Sequence, residues 1–201
     1  MTTIFQTISG ILIAFFLYYG MDIRRKDGAR DFAAPAWQTV MKLCSFVLVG
    51  AFFWIALSTR QVSVVDWLDL VLMISGTAFV TAAKLELGRA HTFTGQYLEK
   101  PKLVTTGVYS MTRNPLYFGV LQCELGASLF VVRHGTILFP PSYPYALSIL
   151  AAALLYALWF NWNMAAREAR YLLGHFGEEY RRYSQDVPFV IPVFRLRKDV
   201  L

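Results

Sequence analysis

Charge is scarce in this chain of 201 residues: Asp, Glu, Lys and Arg together make up 16%, against about a quarter in an average water-soluble domain. That shortage argues against a soluble globular domain. With hydrophobic residues at 56% and a mean hydropathy of +0.45, the composition is that of a membrane protein. Cysteine is scarcer still. Cys44 and Cys123 each sit inside an apolar stretch and neither belongs to a C-x-x-C, which leaves no disulfide framework and no zinc site. The three histidines, His91, His134 and His175, form no i, i+4 pair, so no metal is assigned. No G-x-G-x-x-G or Walker sequence follows a strand pattern, which excludes soluble-type nucleotide folds. Any cofactor site must therefore be built from helices and loops. No basic residue precedes the apolar run Ile11 to Tyr19, so the charged start of a cleaved signal peptide is missing and this run is expected to be a retained first span.

What the chain has in abundance is apolar runs. Five of them, at 4–21, 37–57, 67–83, 116–132 and 145–164, approach or exceed the ~18 residues that cross a bilayer as a helix. The expected fold is all-α: one polytopic integral membrane domain over 1–201, with about five spans. Trp37 and Trp54 are placed like interfacial anchors. Pro140, Pro141 and Pro144 predict a stiff turn between the last two spans, and Gly174 and Gly177 predict interruptions in the helix that follows. Lys and Arg are unevenly shared among the loops: four in 22–35, five in 84–114 and seven after Met164, against only Arg60 and Arg133 on the other side. The formal net charge of +6 is thus concentrated on one face, and the positive-inside rule puts the amino terminus outside and the carboxyl terminus in the cytoplasm. Membrane lipid, not nucleic acid, is the partner this pattern implies. It also brings the two unusual polar segments, 84–114 and 165–201, to the same face, where they can build one site.

The turn-rich stretch Leu103 to Gly119, LVTTGVYSMTRNPLYFG, feeds the fourth span. Gly107 permits a backbone turn, Pro115 suits a first helical turn, and Asn114 is a candidate cap. Arg113 then sits at a helix N-terminus, where free N–H groups and the helix dipole favour an anion. Glu168 lies about one turn beyond the fifth span, at a similar level. Two readings are open: Arg113 and Glu168 pair with each other at the interface, or they grip a ligand carrying both a carboxylate and an ammonium, such as the methionine end of S-adenosylmethionine. Tyr109, Tyr117, Tyr180 and Tyr183 offer phenols and aromatic faces for the rest of such a ligand, or simply an interfacial belt. Glu124 is the anomaly within a span. It needs a partner, either as a structural hydrogen bond to a neighbouring helix or at the polar end of a substrate cavity.

Taken in order, Leu103-Val-Thr-Thr-Gly107-Val108-Tyr109, Arg113-Asn-Pro-Leu-Tyr117-Phe-Gly119, Glu168, Phe176-Gly-Glu-Glu-Tyr180-Arg-Arg-Tyr183 and Phe189-Val-Ile-Pro192 resemble the isoprenylcysteine carboxyl methyltransferase family and the broader membrane methyltransferases that include phospholipid methyltransferases. The resemblance covers roughly the carboxyl-terminal 115 residues. It implies that S-adenosylmethionine binds in a cytoplasmic pocket made by these segments, while a lipophilic substrate enters from the bilayer. It also implies catalytic roles for Arg113 and Glu168, and contact with the cofactor for Leu103, Gly107, Val108, Tyr109, Asn114, Pro115, Tyr117, Tyr180 and Tyr183. The chain departs from the family pattern at Asn114, where a histidine is usual and which cannot titrate, and at Arg167, where an acid often precedes Glu168. The substrate expected from the resemblance is an isoprenylcysteine-like acid; a phospholipid amine or a thiol fits the same architecture. A steroid-type reductase using NADPH and a non-enzymatic membrane adaptor with a basic surface are the rival classes.

Overall fold

A computed structural model describes residues 1–20, 28–92, 94–137 and 145–193. The basic cluster Arg24 to Lys26, the prolines at 140, 141 and 144, and Arg195, Arg197 and Lys198 lie outside the described residues. Five helices are long and apolar enough to cross a membrane. They are α1 (Thr2–Phe15, prolonged by a wider turn Phe16–Gly20), α2 (Pro35–Ser58), α3 (Val64–Leu87), α4 (Pro115–Arg133) and α5 (Tyr145–Phe176). Large apolar side chains such as Leu43, Trp54, Leu129, Ile149 and Leu155 remain exposed on their outer faces, where lipid replaces water.

The helices run alternately up and down. Gln6 on α1 donates to the carbonyls of Leu57 and Thr59 at the end of α2, while Lys84 near the end of α3 donates to the Tyr19 carbonyl, so both ends of α1 are tied to their neighbours. The third span starts at Val64, earlier than the apolar run beginning at Trp67 suggests. The reason is a capping box: Asp66 accepts from the Ser63 backbone N–H at 2.7 Å and its own N–H donates to the Ser63 hydroxyl. At the same end Asp66 and Asp69 receive Arg133 at 2.7 and 2.6 Å, and His134 lies 2.8 Å from Asp66, which locks the start of α3 to the end of α4.

Glycine sets how closely α3 and α4 approach. A Cβ on Gly76 would fall 2.5 Å from the Gly119 carbonyl oxygen, one on Gly119 would fall 2.5 Å from that of Gly76, and one on Gly126 would fall 2.7 Å from that of Asp69. The two backbones are in contact along the seam, as small residues permit between helices in lipid. Phe5, Phe52 and Phe130, all fully buried, fill the adjoining core: Phe5 stacks on Phe130 with ring centroids 5.4 Å apart, and Phe52 meets Phe130 at a tilt, 5.0 Å away.

At the opposite end two features go beyond the helical expectation. Ala29–Asp31 (β1) and Gln96–Leu98 (β2) pair antiparallel, tying the first polar loop to the 91–113 interval. Helix α5 continues to Phe176, so Gly174 does not interrupt it; the break is at Gly177, whose φ of +55 lets the chain turn into the short amphipathic α6 (Glu178–Asp186). A 32-residue helix is about 48 Å long, well beyond a hydrocarbon core of about 30 Å. Its last turns stand clear of the bilayer, beside the 84–114 segment.

Candidate functional site

The approach to α4 is shaped by one glycine. Gly107 has φ +55, and a Cβ there would overlap the Glu86 carboxylate. That carboxylate accepts from the Val108 N–H at 2.9 Å and holds the short turn Gly107–Ser110 against the end of α3. The turn presents Tyr109, whose carbonyl accepts from the Tyr183 hydroxyl at 2.6 Å. Thus α3, the turn and α6 are bound into one wall.

A strap made by residues 187–193 closes the second side. The Arg113 N–H donates to the Pro188 carbonyl at 2.9 Å, the Thr112 hydroxyl to that of Val190 at 2.8 Å, and the Val193 N–H to that of Met111 at 3.2 Å. Asn114 joins them by donating its side-chain N–H to the Phe189 carbonyl at 2.7 Å. This corrects the expected capping role. The Asn114 side chain makes no cap bond to α4, because its amide is committed to the strap, so the first turn of α4 is left without a side-chain cap. Pro115 takes the first helical position, as expected.

Between these walls lies a cavity of about 840 Å³, counting its open mouth. Leu103, Tyr109, Arg113, Asn114, Pro115, Tyr117, Glu168, Tyr180 and Tyr183 all line it. Gly107 and Val108 stand behind the wall and shape it through Glu86. Arg113 and Glu168 face the same space but form no ion pair with each other, which removes the simple interfacial pairing. Glu168 instead neighbours the Tyr117 phenol, on the same side of the cavity. The Arg113 guanidinium lies 5.4 Å over the Phe189 ring and beside Tyr180, and its buried Nε has no hydrogen-bond partner among the described residues. Burial pushes Tyr109 and Tyr183 well above the ordinary phenol range, Tyr109 further because of Glu168, so both remain neutral donors.

Several contributors escaped the sequence reading. Tyr97 and Tyr171 line the cavity with ring centroids 4.5 Å apart, and the Tyr171 hydroxyl donates to the Leu98 carbonyl at 2.8 Å, anchoring β2 to α5. Tyr171 lies three residues after Glu168 on one helix, a spacing that places both on one face. Glu86 was legible only as part of a helical pattern; the positive φ at Gly107 is what gives it a role. Arg167 turns away from the cavity and donates to the Phe32 carbonyl at 2.8 Å.

A second cavity of about 960 Å³, again counting its open mouth, lies among α1, α2, α3 and α4, and its wall is mostly apolar. Thr92, Thr94 and Leu116 line both cavities, so a polar chamber outside the spans and an apolar chamber inside them meet at the start of α4.

The profile of the phospholipid methyltransferase family matches residues 64–179, more than half of the chain. The chain belongs to that family. Its matched part begins at the first residue of α3 and runs into α6, so it takes in the glycine seam, the Gly107 turn and both Arg113 and Glu168. Relatives within this family group include a probable protein-S-isoprenylcysteine O-methyltransferase of Oryza sativa subsp. indica, 28% identical over 130 residues, which is 64% of this chain and 61% of that protein. Protein-S-isoprenylcysteine O-methyltransferase B of Arabidopsis thaliana is 29% identical over 126 residues, covering 61% of this chain and 57% of the relative. The protein-S-isoprenylcysteine O-methyltransferase of Schizosaccharomyces pombe is 26% identical over 136 residues, 68% of this chain and 51% of the relative. The match therefore spans between half and three-fifths of the relatives' own length. The resemblance to the isoprenylcysteine carboxyl methyltransferases, drawn from the motifs around Arg113 and Glu168, stands.

Proposed function

We propose that this protein is an S-adenosylmethionine-dependent methyltransferase acting on a lipophilic substrate, with an isoprenylcysteine-like carboxylic acid as the acceptor. The observation that carries this reading is that two cavities adjoin at Thr92, Thr94 and Leu116: a chamber lined by Arg113, Glu168 and several tyrosines, suited to a charged nucleoside ligand, and an apolar one suited to a hydrocarbon chain. Family membership and the names of the relatives point to the same reaction class.

The residues present fit the cofactor. Arg113 offers a buried Nε–H that no group among the described residues satisfies, beside an uncapped helix start, which together suit a carboxylate. Glu168 suits an ammonium across the same chamber, and the Tyr97, Tyr109 and Tyr171 rings suit a flat base. When bound, the cofactor supplies a methyl group on a sulfonium. Methyl transfer is an in-line displacement, so what the chain must do is align the acceptor and keep water out. Leu116 and the two threonines sit where the acceptor would pass from one chamber to the other, and the strap over Arg113 to Asn114 shields the polar side. A carboxylate acceptor is ionised at neutral pH and needs no base, so Asn114 in place of a titrating residue costs the reaction nothing. The site is read as facing the cytoplasm, on the side where Lys and Arg concentrate.

Transfer of labelled methyl from S-adenosylmethionine to an S-isoprenyl cysteine analogue, by detergent-purified protein, tests this directly. Product carboxyl ester that disappears in Glu168→Ala supports it. Label on phosphatidylethanolamine or on a lipophilic thiol, with none on the carboxylate, moves the acceptor to that class.

A further inference from the structure

Past the junction, the apolar cavity contains an acid. Glu124 of α4 is 6% exposed, yet it lines both the large cavity and a smaller space of about 280 Å³ between α2 and α5; Ser45 of α2 also lines both. Among the described residues the Glu124 carboxylate meets only the Asn161 side-chain nitrogen, at 3.4 and 3.5 Å, while that nitrogen makes its shorter bond, 2.9 Å, to the Ala157 carbonyl. Asn161 is fully buried and its Oδ1 has no hydrogen-bond partner among the described residues. A carboxyl and an amide, both short of hydrogen bonds inside an apolar wall, carry a desolvation cost that a purely structural pair of this kind would not relieve. Packing alone would be served better by leucine. From Leu116, at the junction, to Glu124 is eight residues along α4, about 12 Å.

We propose that Glu124, backed by Asn161, is a specificity site that receives a hydroxyl carried on the body of the lipophilic substrate, about 12 Å from the atom that accepts the methyl group. This inference rests on the methyltransferase reading and narrows its substrate class from a plain hydrocarbon chain to an oxygenated lipophile. A hydroxyl both donates and accepts, so it pairs with the acid in either protonation state. An unbroken hydrocarbon chain leaves the acid unserved. An ammonium is disfavoured here, since Lys84 lines the same cavity and the wall offers Glu124 as its one acid among the described residues.

The test uses the full chain in detergent and two chain-matched lipophilic carboxylic acids, one with a hydroxyl about 12 Å from its carboxylate and one without. Binding is read by thermal shift and, separately, methyl transfer by kcat/KM. Wild type is expected to favour the hydroxylated acid at least about tenfold, because a buried polar site discriminates strongly against an analogue that leaves it unpaired. Glu124→Leu is expected to erase or reverse that preference while its affinity for S-adenosylmethionine is unchanged; Glu124→Gln, which preserves shape and hydrogen bonding, keeps part of the preference and covers the case of a leucine variant that does not fold. Equal binding of the two acids by wild type, or a preference that survives in folded Glu124→Leu, overturns the inference. Failure of wild type to bind S-adenosylmethionine shows separately, as failure of the functional reading beneath it.

Discussion

Gly107→Ala carries the sharpest consequence of this architecture, because one methyl group acts on the turn that ties α3 to α6 in one wall of the chamber. An alanine at φ +55 bears a left-handed conformation that costs about 1–2 kcal/mol. Its Cβ also lands on the Glu86 carboxylate, which must leave the Val108 N–H; stranding that donor costs about 1–2 kcal/mol more. The chain relieves about 2–4 kcal/mol by moving the turn that holds Tyr109, and Tyr183 moves with it through its bond to the Tyr109 carbonyl. If the polar chamber binds S-adenosylmethionine, the loss appears as roughly 30-fold to several-hundred-fold weaker affinity by calorimetry, with the spans intact by melting temperature. The double variant Gly107→Ala with Glu86→Ala removes the overlap but keeps the strained φ and the stranded donor, so it separates steric displacement from loss of the hydrogen bond. Wild-type affinity in folded Gly107→Ala would refute the claim that this turn positions the chamber.

Three further expectations follow from single contacts. Asn114 serves the strap as a hydrogen-bond donor, so Asn114→His retains most cofactor affinity, whereas Asn114→Asp, which sets a carboxylate against the Phe189 carbonyl, costs about 1–3 kcal/mol in affinity or in melting temperature; equal behaviour of the two variants would contradict the assigned role. Gly119→Ala drives a Cβ into the Gly76 carbonyl and destabilises the folded protein by about 1–3 kcal/mol, read as a lower melting temperature in detergent. An unshifted melting curve would mean that α3 and α4 are not held at backbone contact. Asp66→Ala removes one of the two carboxylates that hold Arg133, takes the carboxylate from His134 and opens the capping box of α3, so it lowers the melting temperature while leaving cofactor affinity, at the far end of the spans, within about twofold.

The sequence made the spans visible because lipid demands long uninterrupted apolar helices, and that demand leaves a signal in composition alone. The polar residues that face one another across the chamber were equally legible, since Arg113, Tyr117 and Glu168 are anomalies at span ends. Their partners were not. Asn114 before Pro115 carries the pattern of a helix cap, but a tertiary hydrogen bond to Phe189, 75 residues away in sequence, claims its amide. Glu86 continues the helical register of α3 and shows nothing unusual until Gly107 folds onto it. The β1–β2 pair is invisible for a similar reason: three-residue strands have too little pattern to register, and their pairing is fixed by Tyr171 and by Gln38 and Gln96, which both donate to Asp31. Gly174 shows the reverse error. A glycine inside a helix costs about 1 kcal/mol and not the helix itself, so it lowers the local propensity without ending α5.

The glycine seam and the strap together suggest how stability and function are divided in this chain. The far end of the bundle is held by a charged lock at Asp66, Asp69 and Arg133 and by stacked phenylalanines, none of which lines the polar chamber. The chamber end is held by hydrogen bonds from short segments, 107–114 and 187–193, whose donors and acceptors are mostly backbone groups.

The central claim is that the polar chamber holds S-adenosylmethionine through Arg113. Its most direct test is calorimetric titration of S-adenosylmethionine, and separately of NADPH, into purified wild type and Arg113→Ala. Wild type is expected to bind S-adenosylmethionine saturably, and folded Arg113→Ala at least about tenfold more weakly, since a buried charge-assisted hydrogen bond is lost. Binding of NADPH alone, or undiminished binding of S-adenosylmethionine by the variant, would contradict it.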